Sequence, residues 1–146
     1  MQGMDFESFF KTHEFPHFSA KELLFKGSAH FDPDHLGYGL NTDPPPELWP
    51  YIIETVKVLE WLRQDIGEAI FITSAYRSPA YNKAIDGAAD SQHMRFCACD
   101  IHAKTKPHDI LYFRLKWARD EGLFRGGLGL YPWGVHVDTR GVNKDW

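Results

Sequence analysis

The run from Glu47 to Ile66 constrains the fold most. Leu48, Ile52, Val56, Leu59 and Leu62 recur at helical spacing, and Ile53 and Ile66 widen the stripe. Proline just before the run suits a helix start, and Gly67 suits its end. The stripe reads as a core face, with Trp49 and Trp61 packing at its edges. Ala69 to Thr73 follows as a short β-rich strand, and Pro79 to about Ile85 as a short helix. Gly87 to Asp90 is a loop that delivers Ser91 and His93 to a second strand, Phe96 to His102. Pro107 to Glu121 is a second long helix, closed by Gly122. The glycine-rich strand Gly126 to Tyr131 then pairs with a last strand, Gly134 to Thr139, through Pro132 and Trp133. The glycine-rich strand lacks the pattern of a phosphate loop, so its glycines read as places of close backbone approach. These elements predict an α+β fold, a small antiparallel sheet flanked by helices.

Upstream, residues 1–46 read as an irregular wrap with short helices around a core of 47–146, all within one domain. Ser19 and Glu22 form a capping-box pattern for a helix over Lys21 to Phe25, ended by Gly27. Pro33, Gly37, Gly39 and Pro44 to Pro46 mark 28–46 as loop. His13, His17, His30 and His35 stand in no metal-ligand spacing and read as surface or loop groups.

The chemistry gathers later in the chain. His93 and Asp100 belong to one segment, and His136 and Asp138 to another. Two imidazoles and one carboxylate can hold zinc and leave a fourth position for water, the ligand count of a catalytic site. If 134–139 is a strand, His136 and Asp138 share a face, with Val135 and Val137 on the other. His136 can then reach a metal while Asp138 sits beside it, to orient a ligand, bind substrate or take a proton. His102 is a poorer candidate for that proton. Cys97 and Cys99 read as small buried residues, and the chain shows no disulfide framework. Cys-x-Cys alone is a weak zinc signal, and a structural site built on it is the rival reading.

Other classes recede. A formal charge of −4 argues against a broad nucleic-acid or anionic-membrane surface. No apolar run is long enough to span a bilayer. Met1 to Glu7 lacks the basic and apolar regions of a signal peptide, so the expected setting is cytoplasmic or phage-encoded, in lysis or in a virion. A monomer is expected.

Several motifs stand in order: Tyr76-Arg77-Ser78-Pro79-x-x-Asn82, Ser91-x-His93, Ala98-x-Asp100 and Gly127-x-Gly129-x-Tyr131, the last running on to His136-Val137-Asp138. In this they resemble the zinc D-Ala-D-Ala carboxypeptidases and murein endopeptidases, of the hedgehog/DD-peptidase-like metallopeptidase fold. The likeness is greatest to the murein endopeptidase and phage-associated branch, and covers roughly residues 15–146. It implies one zinc held by His93, Asp100 and His136, and hydrolysis of D-Ala-containing peptidoglycan stem peptides or cross-links by metal-activated water. Carboxypeptidase, endopeptidase and endolysin-type activities all remain open. The resemblance gives Arg77 a catalytic and substrate-binding role at the developing oxyanion. Ser91 matches a serine that bonds substrate or a ligand, Trp133 is a candidate substrate contact near the site, and Tyr131 is either a substrate contact or core packing. Asp138 is either the general base or a support behind the ligands.

Two departures stand out. Phe96 occupies the place of a family glycine, where its ring could reshape the approach to the metal. Trp133 occupies the place where many relatives carry an acidic base. The alternative they motivate is a catalytically degenerate zinc-binding module of a cell-wall-binding protein or a phage tail.

Overall fold

The computed structural model describes residues 4–146. Met1 to Gly3, part of the stretch read for a signal peptide, lie outside them.

The long helix forms as its stripe requires. It is α4, Trp49–Ile66, led in by a 3-10 turn at Pro46–Leu48. Its face of Ile52, Val56, Leu59 and Leu62 is fully buried. Gly67 closes it in the left-handed region, at φ 71°, its N–H donating to the Arg63 carbonyl.

Three short helices precede it. In α1, Phe6–Lys11, the Asp5 side chain caps the first turn by accepting from the Ser8 N–H at 2.8 Å. Phe6 and Phe10, one turn apart, are buried. The expected capping box opens α2, Ala20–Leu23, with Ser19 and Glu22 bonded reciprocally. That helix ends earlier than expected. Gly27 does not stop it but leads into α3, Ser28–Phe31, a turn of helix where loop was expected.

Five strands form one sheet: β1 (Ile70–Ser74), β2 (Ala98–Ala103), β3 (Gly127–Tyr131), β4 (Gly134–Asp138) and β5 (Lys144–Asp145). Their spatial order is β1-β2-β4-β3-β5. The first three pairings are antiparallel, as expected, but β5 runs parallel to β3, so the sheet is mixed. Helix α5 spans Pro79–Ala84 and α6 spans His108–Asp120. Packed together, α1, α4, α6 and the sheet bury one core, with Leu59, Leu62, Ile101, Leu111, Leu115 and Leu128 at its centre. The fold is α+β.

Register then places the chemistry. Asp100 on β2 lies directly across from His136 on β4, and Gly129 on β3 lies on the other side of His136. Ala98 faces Asp138 two residues along. Directly opposed residues have their Cβ atoms about 5 Å apart, so the sheet itself delivers a carboxylate and an imidazole to one point.

Candidate metal centre

Three segments supply the donors. The Ser91 hydroxyl accepts the His93 N–H at 3.2 Å and caps a 3-10 turn, Gln92–Arg95, that carries His93. That turn ends at Phe96 in the left-handed region, with φ 56° and ψ 45°, a conformation glycine adopts without strain. Phe96 pays this cost through burial. Its ring turns away from the site into the core, against Phe6 and Tyr76, and is fully buried. The expectation that Phe96 would narrow the approach to the metal is therefore corrected: the residue reaches the site only through its backbone.

His93 Nε2 and His136 Nδ1 stand 3.2 and 3.3 Å from the same oxygen, Asp100 Oδ1. One donor atom from each of the three residues falls within 4.8 Å of the others. Ligand atoms at ~2.0–2.2 Å around a tetrahedral ion lie ~3.3–3.6 Å apart, so the two short edges already have the separation zinc needs. Each donor is also aimed from behind. The far nitrogen of His93, Nδ1, lies 2.7 Å from the Ala75 carbonyl, and that of His136, Nε2, lies 2.7 Å from Asp138 Oδ2. A proton on each outer nitrogen satisfies those oxygens and leaves a bare lone pair facing the centre, the arrangement metal-binding histidines use. Asp100 Oδ2 accepts from Arg77 at 2.9 Å, which leaves Oδ1 for the centre.

The charges follow from these contacts. Burial pushes the His93 imidazole below its ordinary value, against the pull of Asp100. Burial acts the same way on His136, but its hydrogen bonds to Asp100 and Asp138 win and raise it. For Asp100 burial works upward, yet His93, His136 and Arg77 together hold the carboxyl well below the usual range. The group is thus two imidazoles facing a committed carboxylate, a donor set that fits a divalent cation.

Asp138 has no exposed surface. Its oxygens accept from Gly127 N at 2.8 Å and from Arg140 at 2.7 to 3.1 Å, besides the contact to His136. Burial works upward on its carboxyl too, but these donors hold it well below the usual range. Of the two roles expected of Asp138, these contacts favour the support behind His136 over the general base. His102 is no substitute, because its ring packs on Phe71 and its Nδ1 lies beside the Ala103 carbonyl.

The other residues sort by contact. Arg77 lines the cleft beside the three donors, anchored by Ser74 and Asn82 as well as Asp100. Trp133 is 63% exposed at the rim and stacks on Tyr131. Ser91 lines the cleft too, although its oxygen is engaged as a cap. Cys97 and Cys99 are buried and free, and neither belongs to a metal-competent cluster among the described residues, so the rival structural site has no ligand set. His17 pairs with Glu60, while the His30 and His35 rings accept backbone N–H groups; none joins the site.

The cleft over the three donors has a volume of about 640 Å³. A larger apolar hollow of about 1010 Å³ lies against the N-terminal helices, away from this chemistry. Two features of the cleft went unforeseen in the sequence. One is Arg140, which forks onto Asp138. The other is Trp146, whose ring lies 4.8 Å from that of His136. The order His136-x-Asp138-x-Arg140 is the one signal that pointed to the arginine; nothing in the local pattern pointed to the tryptophan.

A buried His-Asp-His group with an open side, placed under an arginine-lined cleft, makes a candidate metal site. The chain belongs to the Peptidase M15 family, whose profile matches residues 17–138 and so spans all three donors. No curated protein matches it.

Proposed function

We propose that this protein is a zinc-dependent hydrolase of peptide bonds in peptidoglycan, acting on D-Ala-containing stem peptides or cross-links with one zinc per monomer. The observation that supports the reading most is the convergence of His93, Asp100 and His136 on one point at the floor of an open cleft. Bound there, zinc would lower the pKa of a water toward ~7 and polarise the scissile carbonyl. The chain does the rest. His93 and His136 keep their donor nitrogens bare because Ala75 and Asp138 hold the opposite ones. Arg77 fixes the unused oxygen of Asp100 and offers a guanidinium to the oxygen that gains charge as the carbonyl is attacked.

The deciding experiment is digestion of purified peptidoglycan and defined muropeptides by zinc-loaded protein, beside His93→Ala, with products read by mass spectrometry. Zinc-dependent products from the wild type and none from the variant are expected, and the masses name the bond. A second reading is favoured by Trp133, which places an indole where a proton acceptor is typical: a zinc-bearing module that holds cell-wall peptides without cutting them. Retention of the protein on peptidoglycan with no zinc-dependent product at any pH would select it.

A further inference from the structure

Strand β5 brings Trp146 to the cleft by a specific set of contacts. The Trp146 N–H donates to the Leu128 carbonyl and the Trp146 carbonyl accepts from Leu130, both at 3.0 Å. Strand alternation turns Asp145 the other way, where it pairs with buried Arg119 and with Lys116 of α6. The segment is thus fastened on one side by ion pairs and on the other by β3. The indole lies over β3 only because Gly129 has no side chain: a Cβ there would come within 2.5 Å of its nitrogen. Arg140 sits on the same indole at 5.4 Å, and the indole N–H donates to the Tyr131 hydroxyl. Tyr131 stacks in turn on Trp133, with ring centroids 4.6 Å apart.

These contacts make a continuous aromatic bank that begins on His136 and runs out to the rim. Trp146 keeps 41% of its surface exposed and lines the cleft that holds the three donors, so its open face is within reach of a ligand there. The remaining lining is mixed, with Arg77, Asp86, Asp90 and Gln92 beside Ile85 and Ala88. A cleft with one flat aromatic bank and charged and polar groups elsewhere along its lining suits an extended peptide with small side chains. Its peptide planes and methyl groups lie on the rings, and its carbonyls and charged groups meet those polar groups.

We propose that Trp146 is a specificity-determining residue of this site, the inner panel of an aromatic wall on which the substrate peptide lies. The proposal rests on the peptidase reading above. Trp146 contributes binding shared by ground state and transition state, so its loss acts on KM.

The test uses zinc-loaded protein and the best defined muropeptide found for the wild type. Trp146→Ala should raise KM about tenfold or more, with kcat and zinc content close to wild type. Trp146→Phe should recover most of the loss, and Trp117→Ala, on α6 outside the cleft, should match the wild type. A binding readout independent of turnover is the set of indole N–H NMR signals of metal-free protein titrated with the same peptide. The signal absent from Trp146→Phe should move, and that of buried Trp49 should not. An unchanged KM in Trp146→Ala, zinc loss in that variant, or an unmoved Trp146 signal at saturating peptide each overturns the wall while leaving the hydrolase intact. If Trp146→Ala does not fold, the Phe variant and the NMR titration decide. A wild type that neither cuts nor binds any muropeptide fails on its own account, and removes the peptidase reading and the wall together.

Discussion

At the scale of single residues, two substitutions separate holding the metal from using it. Arg77 contacts Asp100 through the oxygen that faces away from the centre. Arg77→Ala should therefore lower kcat by ~10²-fold or more, as loss of an oxyanion donor does, and leave zinc content near one per chain. Zinc lost along with activity in metal analysis would show that the arginine's task is to hold Asp100. Asp138→Asn keeps the shape but offers His136 an amide where it had a carboxylate. The expected result is a ~10–100-fold weaker zinc affinity by competition with a chelator, and unchanged affinity would mean that the contact does not orient the ring. Cysteine behaviour gives a pH test remote from activity. Burial is the main cause that pushes the Cys97 thiol up to about 11, and it raises Cys99 as well. A thiol titrating there is ~0.1% thiolate at pH 8, against ~10% for an ordinary value near 9, so labelling should be ~100-fold slower in the folded state. The rate should rise with pH toward 11 and jump on unfolding at constant pH. Fast labelling of folded protein at pH 8 would contradict the burial.

At the scale of elements, the first helix and the turn that carries His93 are one packed unit. Phe6 of α1 lies 5.6 Å from both Phe96 and Trp49, and Phe96 terminates that turn. Truncating either Phe to Ala should cost ~3–5 kcal/mol by urea unfolding. Because the rings touch, the double variant should depart from additivity by ~0.5–1.5 kcal/mol. Strict additivity would show that α1 does not support the turn. This coupling was not legible in the sequence. Phe6 and Phe10 are too few for a periodic signal. Helix α4 and the pair β3–β4 were legible because long stripes, glycines and alternation are local patterns. Strand β5 was not, because Lys144 and Asp145 are polar and their partners are seventeen residues away. The donors were legible as spacings, and Asp138 as a neighbour of His136 by strand alternation, but the other supports were not. Ala75 acts through a backbone carbonyl, and Arg140 through a contact that only β4's curl into the following turn creates. The Phe96 substitution was visible; its outcome depended on a helix that the sequence did not announce.

At the scale of the whole molecule, the question is whether the fold needs the metal. Each donor has a partner in the chain: His93 has Ala75, His136 has Asp138, and Asp100 has Arg77. The core is built from apolar side chains of α1, α4, α6 and the sheet. Small zinc domains behave otherwise, because their binding free energy is their folding free energy. Removal of metal by EDTA should accordingly leave the far-ultraviolet circular dichroism and a cooperative melt in place. Zinc at a hundred times its dissociation constant should then add ~2.7 kcal/mol, which for a domain of this size raises the melting temperature by ~5–11 °C. His93→Ala should melt below the metal-free wild type, because the Ala75 carbonyl loses its partner, and show no zinc-dependent rise, since the cation would have lost one of three anchors. A chain that unfolds in EDTA would place the metal inside the folding equilibrium. The site would then be a structural clasp, with its open side an accident of packing.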